Sequence, residues 1–177
     1  MYSLALEHST CTKAISLRTV MGIRRSCMET NDEHIEITSA PDRIRISCVK
    51  QMLLKTYWCT GITDGEIRKG IDHSAIVVGA YLPDGTQVGF LRVVSDKVRF
   101  AYLLDVVVHE DYRRRGIGQK MVKYAMSHTE LQDVYQWLLA TRDARGVYEK
   151  CGFQKLDDPG KWMSKIKPRP DRTNYEG

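Results

Sequence analysis

From residue 43 onward, apolar side chains recur at regular intervals along the chain. The run RIRISC, residues 43–48, alternates polar and apolar positions and predicts a half-buried strand. Residues 49–58 carry apolar side chains at helical spacing, and Thr63 with Glu66 forms a capping-box sequence that predicts the start of a second helix. The first predicted elements are therefore one strand and two helices.

Three runs rich in β-branched and aromatic residues follow. Residues 74–82 and 87–95 flank the turn sequence PDGT, and residues 98–109 form the third run. We expect an antiparallel meander. The third run, at about twelve residues, exceeds the usual strand length and predicts a bulge or bend partway along it.

The pattern then changes to a helix over residues 116–127 and an apolar strand over 134–140. A helical crossover normally makes the two strands that it joins parallel. The fold class is therefore α/β, with a mixed, mostly antiparallel sheet, a parallel central strand pair and flanking helices, and we expect a ligand at the carboxyl ends of that pair. The last predicted elements are a short helix over 143–151 and strands over 152–156 and 161–166.

The 177 residues, 42% hydrophobic and 28% charged, fit one globular domain. We assign residues 43–167 to it, residues 1–42 to an N-terminal extension and residues 168–177 to a polar tail. The net charge of +5 is too small to indicate nucleic-acid binding by itself.

The five cysteines are odd in number and contain no C-x-x-C pair. This argues against a disulfide framework and a zinc site, and favours a cytoplasmic location. No apolar run approaches the length of a membrane span, so we expect no membrane partner. Residues 1–28 loosely resemble an organellar transit peptide, but a plain N-terminal arm is the preferred interpretation.

The stretch from Arg113 to Gly118, RRRGIG, lies between a predicted strand and a predicted helix. The unpaired N–H groups and the dipole at a helix N-terminus favour an anion, and glycines at 116 and 118 let a phosphate approach the backbone. The stretch matches neither a Walker loop nor a dinucleotide fingerprint. By itself the pattern also fits an ordinary solvated turn.

A second motif supports the phosphate interpretation. Tyr148, Glu149, Gly152 and Phe153 fit the pattern Y-E-x-x-G-F, and Arg113–Gly118 fits [QR]-x-x-G-x-[GA]. With the order of elements, these motifs resemble the GNAT superfamily of acyl-CoA-dependent N-acyltransferases. The resemblance implies acetyl-CoA as co-substrate and no metal.

In that family, the loop matching Arg113–Gly118 binds pyrophosphate, and the strand matching residues 106–108 splays from its parallel neighbour and pairs with the pantetheine arm. An N–H near Val107 would polarise the thioester carbonyl. Thr141 stands where the family often has asparagine, which puts one contact to the arm in doubt. The implied cofactor-binding residues are Val106, Val107, Val108, Arg113, Arg114, Arg115, Gly116, Ile117, Gly118, Thr141 and Ala144.

Two candidate catalytic residues emerge. Tyr148 matches the tyrosine that protonates the departing CoA thiolate in many family members. Asp105 lies in the apolar run YLLDVVV, on the face opposite Val106, and is either the general base or a structural carboxylate paired with Arg92; the sequence favours neither. The candidate acceptor-pocket residues are Tyr57, Trp58 and Trp162.

The predicted function is acetyl transfer from acetyl-CoA to a primary amine by direct attack in a ternary complex. A small-molecule acceptor is preferred because no targeting module is recognisable. The alternatives are a protein lysine or N-terminal acetyltransferase, a non-catalytic CoA-binding regulatory module and, least favoured, a nucleic-acid-binding module. A homodimer is left open.

Overall fold

Five strands form one twisted sheet in the order β1-β2-β3-β4-β5. A computed structural model of the chain describes residues 35–168. The predicted arm up to residue 34, with its targeting alternative, and the tail from residue 169 lie outside them. The strands are β1 (Glu36–Thr38), β2 (Ile76–Tyr81), β3 (Gln87–Ser95), β4 (Phe100–Val108) and β5 (Gln136–Leu138).

The first four strands pair antiparallel, and β4 pairs parallel with β5. The predicted meander and the parallel pair are therefore confirmed. The helices are α1 (Ile46–Leu54), α2 (Asp64–Asp72), α3 (Ile117–Met126) and α4 (Arg145–Glu149).

The sheet separates two apolar clusters, because neighbouring residues of each strand point to opposite faces. On one face α3 packs against β2, β3 and β4, and on the other α1 and α2 cover Val77, Phe90 and Val107. Every apolar residue predicted for the inner face of α3 is buried: Ile117, Met121, Val122 and Ala125.

The predicted capping box of α2 is confirmed. The Thr63 hydroxyl accepts from the Glu66 N–H at 3.2 Å, and the Glu66 carboxylate accepts from the Thr63 N–H at 2.9 Å. Two backbone donors at the helix start are thereby satisfied.

The strand predicted for residues 43–48 is wrong. A 3-10 turn ends at Arg43, and α1 begins at Ile46. The alternation is short, and Ile46 also lies at helical spacing from the buried Val49, which the helix interior favours. The first strand of the sheet is instead β1, which pairs with β2.

The strands predicted for residues 152–156 and 161–166 are also wrong. Residues 153–168 form only a 3-10 turn at Pro159–Lys161, whose start the Asp158 carboxylate caps by accepting from the Gly160 N–H. Met163 and Ile166 are 97% and 88% exposed, so no apolar surface stabilises a strand there.

Candidate active site

A β-bulge interrupts β4 at Asp105. Arg92 of β3 pairs with Leu104, but Phe90 pairs with Val107, so two residues of β4 lie opposite one of β3. Asp105 has a positive φ of 54°, an uncommon backbone conformation for a residue other than glycine. The bulge that the length of the third run predicted is therefore confirmed, and it places Val106 and Val107 on opposite faces.

β4 and β5 separate just before the bulge. Their parallel pairing ends at Tyr102 and Leu138, while β4 continues to Val108. Among the described residues, no strand covers this edge of β4 from residue 103 to 108. The edge faces an open cleft, and its backbone groups can pair with an extended ligand.

The direction of the backbone N–H groups refines the expectation for Val107. The His109 N–H donates to the carbonyl of Val88 in β3 at 2.8 Å. Because N–H direction alternates along a strand, the Val107 N–H also faces β3, whereas the N–H groups of Val106 and Val108 face the cleft. The N–H groups that face the cleft are therefore those of Val106 and Val108, and not that of Val107.

The loop at the end of β4 has backbone features typical of an anion site. Arg114 and Gly116 have positive φ values of 64° and 78°, and Gly116 caps α3 without a side-chain hydrogen bond. Such alternation of backbone conformation turns successive N–H groups toward one point. The loop therefore presents the free donors of the α3 N-terminus at the mouth of the cleft.

The three loop arginines have different contacts. Arg113 Nε donates to the Val108 carbonyl at 3.0 Å, and Arg115 donates to the Asp111 carbonyl at 3.2 Å. These two side chains fix the shape of the loop. Arg114 is exposed and has no hydrogen bond or ion pair within residues 35–168, so its guanidinium remains available to a bound anion.

Gly118 stands in the first turn of α3, where a side chain would also fit. Its φ lies outside the left-handed region, and a Cβ there would meet only Val108 Cγ2, at 3.8 Å. Neither backbone strain nor packing therefore requires glycine at this position. A glycine at this position would let a phosphate come close to the first turn of α3, as the sequence motif predicts.

The substitution Gly118→Ala should therefore affect the stability of the fold and the binding of acetyl-CoA in opposite directions. We expect the ligand-free variant to be more stable by up to about 1 kcal/mol, because alanine favours a helix. The rise in Tm on adding acetyl-CoA should shrink. Gly70→Ala in α2, where a Cβ would make an ordinary 3.6 Å contact with Arg92, is the matched control and should keep the full rise. An undiminished rise in Gly118→Ala would contradict the assignment of this loop.

Tyr148 lies on α4, and its ring meets Phe153 edge to face, with centroids 6.0 Å apart. Burial, followed by the charge of Asp143, raises the pKa of Tyr148 to about 12, and Cys151 and Tyr57 add smaller contributions. The phenol therefore keeps its proton across the physiological range. It can donate a hydrogen bond to a leaving thiolate throughout that range.

The raised pKa of Tyr148 can be tested by following tyrosinate absorbance with pH. The wild type and Tyr148→Phe should titrate identically up to about pH 11, because Tyr148 stays protonated while unperturbed phenols ionise near 10. Since the folded state holds this proton more tightly, its contribution to stability should fall as pH rises from about 10 to 12. One extra phenol ionising near pH 10 in the wild type would contradict the burial.

Asp105 forms an ion pair with Arg92, with Nε and Oδ2 2.5 Å apart. Its other oxygen accepts a weak hydrogen bond from the buried Cys59 thiol at 3.7 Å. The side chains of Arg92 and Asp105 are only 22% and 11% exposed. The geometry therefore favours the structural alternative, in which Asp105 anchors the bulge.

Tyr57 and Trp58, the candidate acceptor-pocket residues, take part in a contact that the sequence did not reveal. Tyr57 and Trp58 meet edge to face at 4.8 Å, and the guanidinium of Arg142 lies 3.7 Å from the centre of the Tyr57 ring. The contact joins the loop after α1 to the loop after β5. Trp162 is 45% exposed and follows the turn at residues 159–161, where the predicted strand is missing.

Thr141 has a local role in the loop after β5. Its hydroxyl oxygen accepts from the Ala144 N–H at 3.0 Å, just before α4 begins. The contact shapes the turn that leads to Tyr148. The hydroxyl hydrogen remains available as a donor.

A cavity of about 440 Å³ lies beside β5. It is lined by β5 and the loop after it, by α4 and by residues 153–159, and no residue of β4 borders it. Tyr148 and Thr141 also line this cavity, so it adjoins the candidate catalytic tyrosine.

Solved structures share this architecture. A GNAT-family protein from Xanthomonas campestris pv. campestris is 34% identical, with a TM-score of 0.71, over 76% of this chain and 94% of that one. The chain belongs to the GNAT family. The resemblance carried by the two sequence motifs and the predicted fold class are thereby confirmed.

Other comparisons agree with the GNAT assignment. The family model for an acetyltransferase (GNAT) domain matches residues 73–155. The uncharacterized N-acetyltransferase ycf52 of Porphyra purpurea is 28% identical over 102 residues, and the match spans 59% of that relative's length. Glucosamine-6-phosphate N-acetyltransferase from Arabidopsis thaliana shares the GNAT fold, at 19% identity and a TM-score of 0.56.

No helix within residues 35–168 is long and apolar enough to cross a bilayer. Nor do three or more His, Cys, Asp or Glu side chains in that part of the chain come together in a group that could hold a metal ion.

Proposed function

We propose that the chain is an N-acetyltransferase that transfers the acetyl group of acetyl-CoA to the primary amine of a small molecule, by direct attack in a ternary complex. The observation that carries the proposal is the uncovered edge of β4, residues 103–108, which leads into the anion loop at residues 113–118. An extended arm that ends in a pyrophosphate matches this continuous row of backbone donors.

Acetyl-CoA supplies the activated acetyl thioester. The cleft-facing N–H groups of Val106 and Val108 are suited to stabilise negative charge on the acyl oxygen. The anion loop, with Arg114 beside it, binds the pyrophosphate. Bound in this way, the acyl group lies between β4 and the acceptor side formed by Tyr57 and Trp58.

The transfer forms a bond between the amine nitrogen and the acyl carbon and breaks the bond from that carbon to sulfur. The amine must be neutral to attack, and its proton leaves to water because Asp105 is engaged with Arg92. Tyr148 donates its proton to the departing thiolate and is reprotonated from solvent. A cytoplasmic location, with no nucleic-acid or membrane partner, belongs to this proposal.

Thermal unfolding with and without millimolar acetyl-CoA tests the cofactor step. A ligand present at about 100 times its Kd should stabilise the native state by about 2.7 kcal/mol and raise Tm. An unchanged Tm would contradict the proposal. If acetyl-CoA raised Tm but no amine caused release of the CoA thiol, a non-catalytic CoA-binding module would be indicated instead.

A further inference from the structure

On the α1 face of the sheet, three basic side chains near the cleft have acidic partners. Lys50 pairs with Asp64 at 2.6 Å, Arg92 pairs with Asp105 at 2.5 Å, and Lys55 pairs with Glu110. A neutralised cation adds little attraction for an incoming anion. These three cations are therefore already paired within the fold.

Arg142 differs from these three. Its guanidinium rests on the ring of Tyr57, which is itself 47% exposed, and within residues 35–168 it has neither an ion pair nor a hydrogen bond. The neighbouring carboxylate of Asp143 forms no ion pair with it in the described chain. At the mouth of the cleft, the positive charge of Arg142 is therefore not neutralised by contact.

The cation–π contact also holds the guanidinium in place. At 3.7 Å the group lies against the ring face, so the N–H donors at its edge remain free for a planar or tetrahedral anion. A guanidinium held in this way loses less conformational freedom when it binds an anion. Trp58, which meets Tyr57 edge to face, packs against the cluster that contains Val107 of β4.

Building on the proposed function, we infer that the acceptor amine carries a carboxylate or phosphate group, which Arg142 binds while the amine faces the acyl group. Tyr57 is a positioning residue for this contact. The selectivity is for an acidic group on the acceptor and is independent of how acetyl-CoA binds.

Two matched pairs of amines test the inference by thiol release. Comparing turnover of β-alanine and β-alaninamide tests whether a carboxylate is recognised. Comparing phosphoethanolamine with ethanolamine tests whether a phosphate is recognised. We expect the wild type to prefer one acidic member over its neutral partner by about tenfold to a hundredfold in kcat/KM, through KM, as charge-assisted hydrogen bonds normally provide.

Arg142→Ala should abolish that preference by raising KM for the acidic amine. Its kcat for the acidic amine and its kcat/KM for the neutral amine should stay within about twofold of the wild-type values. Arg142→Lys should retain part of the preference, and Tyr57→Leu should weaken it because the guanidinium loses its support. The control is Arg99→Ala, just before β4 at the other end of the strand, and it should leave the preference unchanged.

Equal turnover of the acidic and neutral members in the wild type would overturn the inference and leave the proposed acetyl transfer intact. An equal loss with both members in Arg142→Ala would also overturn it, because the residue would then serve only the structure. Turnover of none of the four amines would contradict both, even if acetyl-CoA still raised Tm.

Discussion

Replacing Tyr148 with phenylalanine is expected to lower kcat by about 100-fold or more, the usual contribution of a positioned general acid. The phenylalanine ring keeps the edge-to-face contact with Phe153 and the burial, so the protein should remain folded. In the proposed complex, acetyl-CoA binds through the β4 edge and the loop at 113–118, so its Kd should change less than about threefold. Steady-state thiol release and isothermal titration calorimetry measure the two quantities.

The control for this substitution is Tyr135→Phe. Tyr135 is 72% exposed and precedes β5 at the end away from the cleft, so its hydroxyl should not affect turnover. If Tyr148→Phe weakened acetyl-CoA binding as much as it slowed turnover, the role of proton donor would be wrong. An unchanged kcat would lead to the same conclusion.

Replacing Arg92 with methionine is expected to destabilise the fold by about 3 kcal/mol or more, because it leaves the carboxylate of Asp105 nearly buried and without its cation. The lost ion pair also anchors the bulge, where Asp105 holds a positive φ. Urea unfolding, followed by circular dichroism, measures the change. Arg99→Met at an exposed site should alter stability by less than about 0.5 kcal/mol.

The double variant Arg92→Met with Asp105→Asn should recover part of the loss. Asparagine removes the uncompensated charge and tolerates the left-handed backbone at this position. A loss below about 1 kcal/mol in Arg92→Met alone would mean that the ion pair contributes little to the bulge. Single and double variants that were equally unstable would show that the unpaired charge is not the cause.

Local sequence signals predicted the elements that depend on local physics. The capping box at Thr63 and Glu66 forms from neighbouring residues alone, and the apolar residues of α3 need only one apolar face of the sheet to pack against. The Arg113–Gly118 motif predicted an anion site because a helix N-terminus has free donors wherever it occurs. The Gly118 environment now adds a reason from packing.

The errors occurred where tertiary contacts decide between two local structures. Six alternating residues from Arg43 fit a strand as well as the start of a helix, and burial of Val49 in the α1 face favours the helix. The segment around Trp162 alternates like a strand but finds no surface to cover. Sequence patterns report neither the partner nor the surface.

The acceptor side was the least predictable part of the site. Asp105 attracted attention as an acid in an apolar run, but its pairing with Arg92 required the register of β3 and β4. Arg142 gave no signal, since a basic residue in a loop is common. Its contact with Tyr57 joins residues that are distant in sequence.

The central claim is that the cleft between β4 and β5 catalyses acetyl transfer from acetyl-CoA to an amine. The most direct measurement incubates the protein with acetyl-CoA and the four matched amines, and follows free thiol and the acetylated amines by mass spectrometry. We predict one acetylated amine for every thiol released, and loss of both in Tyr148→Phe. Thiol release without an acetylated amine, or no release above the rate without protein, would contradict the claim.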